Sequence, residues 1–312
     1  MLIDTHAHLN FNAYKDDADE VIRRSLDNNV WMINVGSTYE TSKRAVELAE
    51  GYPQGVYASI GLHPIHLAKG IFKTKIDKEE TEFETKEEES KNVRSFPPSL
   101  SPSESSVFNY EKYKELALRQ GSGQAKSKVV AIGEIGLDYY YRPKTKKKLE
   151  IFKKRQRTVL CQQLELAREL NLPVIFHCRA AHNDLIEILN SNFYFLNSGL
   201  KGVIHCFTGT QEQAEKYLEM GFYLGFNGII FKLSLDEIIQ KTPLNKILIE
   251  TDCPYLTPPL PAEALAKAGP MTGRNEPLYV KYIAEKIAKI RNISYEEITK
   301  AVTENAKRLF KI

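Results

Sequence analysis

The sequence has little of several things that would each point to a class. Its four cysteines, Cys161, Cys178, Cys206 and Cys253, show no CxxC spacing in 312 residues. That excludes a disulfide-stapled scaffold and makes a reducing compartment the expectation. No run approaches the roughly 20 apolar residues of a membrane span, and none is expected. Asp4, His6 and His8 interrupt the apolar start, so no secretory leader is expected before Leu2. An excess of one charge is lacking too: 43 basic residues against 40 acidic ones leave +3. As a total this is too weak to indicate nucleic acid, and only local clustering could do so. A monomeric cytoplasmic protein, nuclear as well in a eukaryotic cell, is the resulting expectation.

What is present is a large apolar share, 42%, arranged in short runs that alternate with helical patterns. Strands are predicted at Leu2–Ile3, Val30–Gly36, Val56–Gly61, Lys128–Glu134, Pro173–His177, Gly202–His205, Phe222–Phe226 and Ile247–Asp252. Between them, 3.6-residue periodicity predicts helices over Asp16–Asn28, Tyr39–Glu50, Tyr110–Arg119, Lys146–Asn171, Ala180–Asn190, Gln211–Met220 and Leu233–Gln240. Pro277–Arg291 and Tyr295–Phe310 close the chain as two more. Strand–helix alternation implies parallel pairing through crossovers, and eight strands close a barrel, typically of about 250 residues or more. The fold class predicted is α/β, a distorted (β/α)8 TIM barrel, as one domain over residues 1–312. The rhythm breaks once. Ile76 to Lys91 holds eight acids and three lysines, and Ser95 to Ser106 is rich in Ser and Pro. Such segments bury too little apolar surface to offset their ordering entropy. Residues 72–107 are therefore expected to be a mobile surface insertion.

The strand ends carry the chemistry. His6 and His8 follow the first strand, His63 the third, Glu134 the fourth, His177 the fifth, His205 the sixth and Asp252 the eighth. Imidazoles at i and i+2 of extended backbone share a face. In a barrel the carboxyl ends of the strands form one mouth, so residues scattered over the chain meet in one pocket. One histidine after a strand is ordinarily a hydrogen-bonding or surface group, and one carboxylate there ordinarily caps a helix. Five of seven histidines at such ends, with two acids, point instead to metal. The donor set exceeds what one catalytic ion requires, so two ions, Mg, Mn or Zn, bridged by a carboxylate about 3.5 to 4 Å apart are expected. Asp252 could take the proton of a metal-activated water. Glu250 is read either as its neighbour or as a solvent-facing acid. The cysteines that follow proposed ligands are read as packing, and His66 and His182 either as surface residues or as supports behind the ligands.

These residues sit in motifs. His6-Ala7-His8, Gly61-Leu62-His63-Pro64, Gly133-Glu134-Ile135-Gly136-Leu137-Asp138, His177-Cys178-Arg179, His205-Cys206-Phe207-Thr208-Gly209, Glu250-Thr251-Asp252, Arg274-Asn275-Glu276-Pro277 and Asn305-Ala306-Lys307-Arg308-Leu309-Phe310 form an ordered series. The series resembles the TatD family of metal-dependent deoxyribonucleases over essentially the whole chain except the insertion. The resemblance implies an amidohydrolase-like barrel that hydrolyses DNA phosphodiester bonds, single-stranded or at an end, as a 3′–5′ exonuclease. It implies His6, His8 and Asp252 as ligands of one ion, His177 and His205 of the other, and Glu134 as the bridge. By the same resemblance His63 contacts phosphate or acts in catalysis, and Arg274 meets substrate phosphate. A hydrolase of another ester or an amide, such as an aminoacyl-ester deacylase, is the alternative that such a barrel accommodates.

A basic run follows the fourth strand, from Arg142 through Lys144, Lys146, Lys147 and Lys148 to Lys153, Lys154, Arg155 and Arg157, against Glu150 alone. Tyr139, Tyr140 and Tyr141 precede it. Aromatics beside cations suit a single nucleic-acid strand. Tyr139 to Arg142 are read as substrate contacts and the lysines beyond position 150 as a solvated helix face.

Overall fold

The protein was analysed as a computed structural model, which describes residues 1–72, 80, 108–119, 127–191, 199–261 and 273–312. The expected mobile insertion lies outside the described residues except for Phe72 and Glu80.

Eight strands run parallel in sequence order: β1 (Leu2–Ala7), β2 (Val30–Val35), β3 (Val56–Ile60), β4 (Val129–Asp138), β5 (Val174–Arg179), β6 (Gly202–Ile204), β7 (Tyr223–Phe226) and β8 (Ile247–Ile249). A parallel bridge between Ala7 and Cys253 joins the first strand to the chain leaving the last. There the Asp252 amide donates to the His6 carbonyl at 2.9 Å and the His8 amide to the Cys253 carbonyl at 3.0 Å. The fold is thus a TIM barrel whose seam closes at the mouth where the histidines stand.

Helices α1 (Ala18–Asp27), α2 (Tyr39–Glu50), α3 (Tyr110–Leu118), α4 (Lys146–Glu169), α5 (His182–Ser191), α6 (Gln211–Glu219), α7 (Asp236–Lys241), α8 (Val280–Arg291) and α9 (Tyr295–Phe310) pack outside. Their starts follow the local chemistry. The Thr38 hydroxyl accepts from the Thr41 amide and Thr41 returns the bond, so α2 begins where a capping box requires. None of these helices is long and apolar enough to cross a membrane. Alternate strand residues face opposite ways. Ile3, Ile33, Ile175, Val203 and Leu248 fill the barrel, plugged by Leu309 and Phe310 of α9. The opposite faces pack on the helices in a larger cluster.

Several strand ends at the mouth depart from expectation, among them β1 and β5, which run on to Ala7 and Arg179. β4 runs four residues past Glu134, because Ile135 to Asp138 pair with Phe176 to Arg179 after a register shift. β6 and β8 stop early, at Ile204 and Ile249, and Cys206 and Asp252 shortly beyond adopt left-handed backbone, φ 46° and 58°. Left-handed non-glycine residues are uncommon and concentrate at functional sites.

Candidate metal centre

Ligand-capable atoms of His6, His8 and Glu134 lie within 4.8 Å of one another, as do those of His63, Glu134 and His177, and those of His6, His205 and Glu250. Glu134 belongs to two of these groups. Its Oε1 is 2.6 Å from His177 Nδ1, 3.3 Å from His205 Nε2 and 3.4 Å from His63 Nε2, while Oε2 is 3.5 Å from His6 Nε2. Asp252 Oδ1 is 3.4 Å from His8 Nε2 and 3.8 Å from His6 Nε2. The six residues expected at a metal are therefore brought together, and His63 with them. The cluster forms the floor of a cavity of about 440 Å³ at the barrel mouth.

Hydrogen bonds on the far ring nitrogens set which imidazole atom faces the cluster. His8 Nδ1 lies 2.8 Å from the Val35 carbonyl oxygen, which can only accept, so Nδ1 carries the proton and Nε2 offers its lone pair inward. His205 Nδ1 is 2.9 Å from Glu250 Oε1, with the same consequence. His177 meets a carboxylate with each nitrogen, Nδ1 on Glu134 Oε1 at 2.6 Å and Nε2 on Asp138 Oδ2 at 3.3 Å. His63 differs. Its Nδ1 accepts from the Ile65 amide at 3.1 Å, so neutral His63 carries its proton on Nε2 and presents a donor. The neutral rings of His8 and His205 thus turn a lone pair inward, and that of His63 presents a donor.

Burial opposes ionisation of Glu134, yet His63, His205, His177 and His6 hold its carboxyl well below the usual range. Burial likewise disfavours the His205 imidazolium, but Glu250 and Glu134 raise it well above its ordinary value. The carboxylates of Glu134, Glu250 and Asp138 are all buried. Imidazoles and acids gathered around a shared buried carboxylate, Glu134, are a donor set that fits divalent cations.

The supports around this set were mostly not legible from sequence. Glu250 is fully buried; it accepts from the Cys206 amide at 2.7 Å as well as from His205. It is therefore not solvent-facing, and it supports the site through His205. Gly225 makes room for it, since a Cβ there would lie 2.7 Å from Glu250 Oε2. Asp138, the last residue of the GEIGLD motif, went unassigned. Buried, and thus penalised as an anion, it is nevertheless held well below the carboxylate range by His177 and Arg179. Glu80 accepts from the Ser37 hydroxyl, pairs with His66 Nε2 at 2.7 Å and lines the cavity. His66 is thus engaged rather than loose on the surface. His182 is buried also, with Nδ1 3.2 Å from the Tyr217 hydroxyl. Asp4 accepts from the Thr251 hydroxyl at 2.5 Å and the Thr251 amide at 2.9 Å, tying β1 to the segment that carries Asp252.

Two expected substrate contacts are not brought to the cavity. Tyr139 is buried and donates to Asp184 Oδ2 at 2.9 Å, with Lys153 over its ring; Tyr141 lines the cavity instead. Arg274 pairs with Asp17, donates to the Ala13 carbonyl and stacks 4.0 Å from the Tyr14 centroid. An acid distant in sequence thus occupies its guanidinium. Cys178 and Cys253 are buried, and Cys178 and Cys206 line the cavity.

A parallel eight-stranded barrel with clustered histidines and acids at its carboxyl mouth is the architecture of a metal-dependent hydrolase. The chain belongs to the TatD related DNase family, which it matches over residues 3–311. It is 38% identical to the Bacillus subtilis uncharacterized metal-dependent hydrolase YabD, covering the whole of both chains. With the Pantoea vagans 3′-5′ ssDNA/RNA exonuclease TatD it shares 29% identity over the whole of both chains. The solved structure of the TatD homologue YJJV from Escherichia coli superposes with a TM-score of 0.72 at 26% identity, over 100% of this chain and 98% of that one.

Proposed function

We propose that this metal-dependent hydrolase cleaves phosphodiester bonds of single-stranded DNA, removing nucleotides from the 3′ end, with two divalent ions (Mg, Mn or Zn) bridged by Glu134. His6, His8 and Asp252 would hold one ion and His177 and His205 the other. The observation that carries the two-ion reading is the placement of Glu134, one carboxylate oxygen toward His6 and the other toward His177 and His205. Support for a nucleic-acid substrate comes from the family and from the relative whose name specifies an ssDNA/RNA exonuclease. The protein is taken to act as a cytoplasmic monomer.

Bound divalent ions supply Lewis-acid polarisation of a phosphoryl oxygen and an activated water near neutral pH. The chain's own residues do the rest. Asp252, partly open to the cavity, takes the proton of the attacking water on the carboxylate oxygen turned from His8. His63 carries its proton on Nε2 and hydrogen-bonds an anionic phosphate oxygen or the departing alkoxide. Glu134 keeps both halves of the site at a fixed separation.

The test is turnover by protein loaded with Mg²⁺, Mn²⁺ or Zn²⁺ on end-labelled single-stranded DNA, duplex DNA, RNA and a panel of carboxylic esters, with Glu134→Gln and Asp252→Asn alongside. Stepwise release of mononucleotides from the 3′ end, lost in both variants, is expected. Ester hydrolysis with inert DNA would move the assignment to another bond.

A further inference from the structure

The rim of the cavity carries an arrangement that metal chemistry does not require. Tyr140 and Tyr141 are 62% and 40% exposed, and their rings meet edge to face at 5.0 Å. Large aromatics left in water beside a cavity mark a binding surface more often than a packing need. The Arg179 guanidinium lies 4.7 Å from the Tyr140 centroid and 5.1 Å from that of Tyr141. Asp138 holds that guanidinium, accepting from Nε at 3.0 Å and Nη2 at 2.6 Å through a single oxygen. Tyr141 and Arg179 both line the cavity that holds the imidazole cluster.

The chain that leaves these tyrosines is basic without relief. Arg142, Lys144, Lys146, Lys147 and Lys148 follow, with no acid between Tyr139 and Leu149. All five are exposed and make no ion pair among the described residues. The cations one turn further differ: Lys153 and Arg157 pair with Asp184 at 3.4 and 3.0 Å. The basic run therefore divides into a neutralised part and an open part, and the open part adjoins the tyrosines.

We propose that Tyr140 and Tyr141, backed by Arg179, form a stacking subsite for one unpaired nucleobase of the strand under hydrolysis, with Arg142 and the following lysines meeting the phosphates beyond it. This rests on the nuclease reading above. A base paired in a duplex has no free face to offer, so the subsite selects unpaired strands, and every base stacks, so it is indifferent to sequence. An ester or amide substrate without bases would leave both rings unused.

The experiment uses a fluorescein-labelled oligothymidylate and versions with a single abasic position moved along the strand. Turnover and anisotropy binding are measured with the wild type and the Tyr140→Leu, Tyr141→Leu double variant; both positions are exposed, and circular dichroism verifies folding. In the wild type one abasic position is expected to raise KM and Kd about 10-fold, within the range of single base–aromatic stacks. In the double variant that position has no further effect, because the ring that read the base is gone. A penalty that persists in the variant, or no penalty at any position, overturns the subsite. Binding with the abasic pattern but without cleavage would keep the subsite and overturn the nuclease reading. Neither binding nor cleavage overturns both.

Discussion

His205 is held by Glu250: its Nδ1 lies 2.9 Å from Glu250 Oε1, and Nε2 is thereby turned to within 3.3 Å of Glu134. Carboxylates behind a metal-binding imidazole set its tautomer and raise its basicity, and their loss typically weakens metal binding 10- to 100-fold. Glu250→Leu is expected to weaken one of two binding events in that range by titration calorimetry. Glu250→Gln, whose carbonyl still accepts from His205, should lose less. Equal metal affinity in Glu250→Leu would leave His205 oriented by something else.

His63 should separate from the ligands. With Nδ1 accepting from the Ile65 amide, its inward nitrogen is a donor. His63→Ala is expected to keep the wild-type metal stoichiometry while kcat falls by about 10²–10⁴, the usual range for a lost proton donor. His205→Ala should lose both. Loss of a bound ion in His63→Ala, read by metal analysis, would make His63 a ligand.

Arg274 is expected to matter for stability rather than substrate. It bridges Asp17 and the Ala13 carbonyl and stacks on Tyr14, and hydrogen bonds involving charge contribute roughly 1.5–3 kcal/mol each. Arg274→Ala should lower Tm by several degrees with KM unchanged. A large KM rise at unchanged Tm would restore the phosphate contact implied by its motif.

His182 supplies a pH dependence. Burial, and secondarily the charge of His177, lower its pKa to about 4, against about 6.5 in an unfolded chain. Above pH 6.5 both states hold it neutral and it has no effect. As pH falls from about 6.5 to about 4 the unfolded state binds the proton first, and stability is lost across that window. In chelator-treated protein, the stability difference between wild type and His182→Gln should therefore shift against the wild type on acidification. A pH-independent difference by urea denaturation would contradict it.

Much of the barrel was legible because buried parallel strands appear as short apolar runs between helical periods. The ligand residues were legible for a related reason: each follows a strand, and the mouth of a barrel gathers strand ends. The supports were not. Asp138 lies beyond the predicted end of its strand, and only the register shift against β5 places it under His177. Glu80 sits in an acidic stretch whose composition indicates solvent, yet it is buried against Ser37 and His66. Arg274 has the chemistry of a phosphate contact, and its partner Asp17 stands 257 positions away, a pairing that no local pattern encodes.

The central claim is that Glu134 stands between two cations. Anomalous diffraction from crystals soaked in Mn²⁺ measures it directly. Two peaks about 3.5 to 4 Å apart are expected, flanking Glu134, with His6, His8 and Asp252 on one side and His177 and His205 on the other. A single peak, or peaks that Glu134 does not touch, would contradict it.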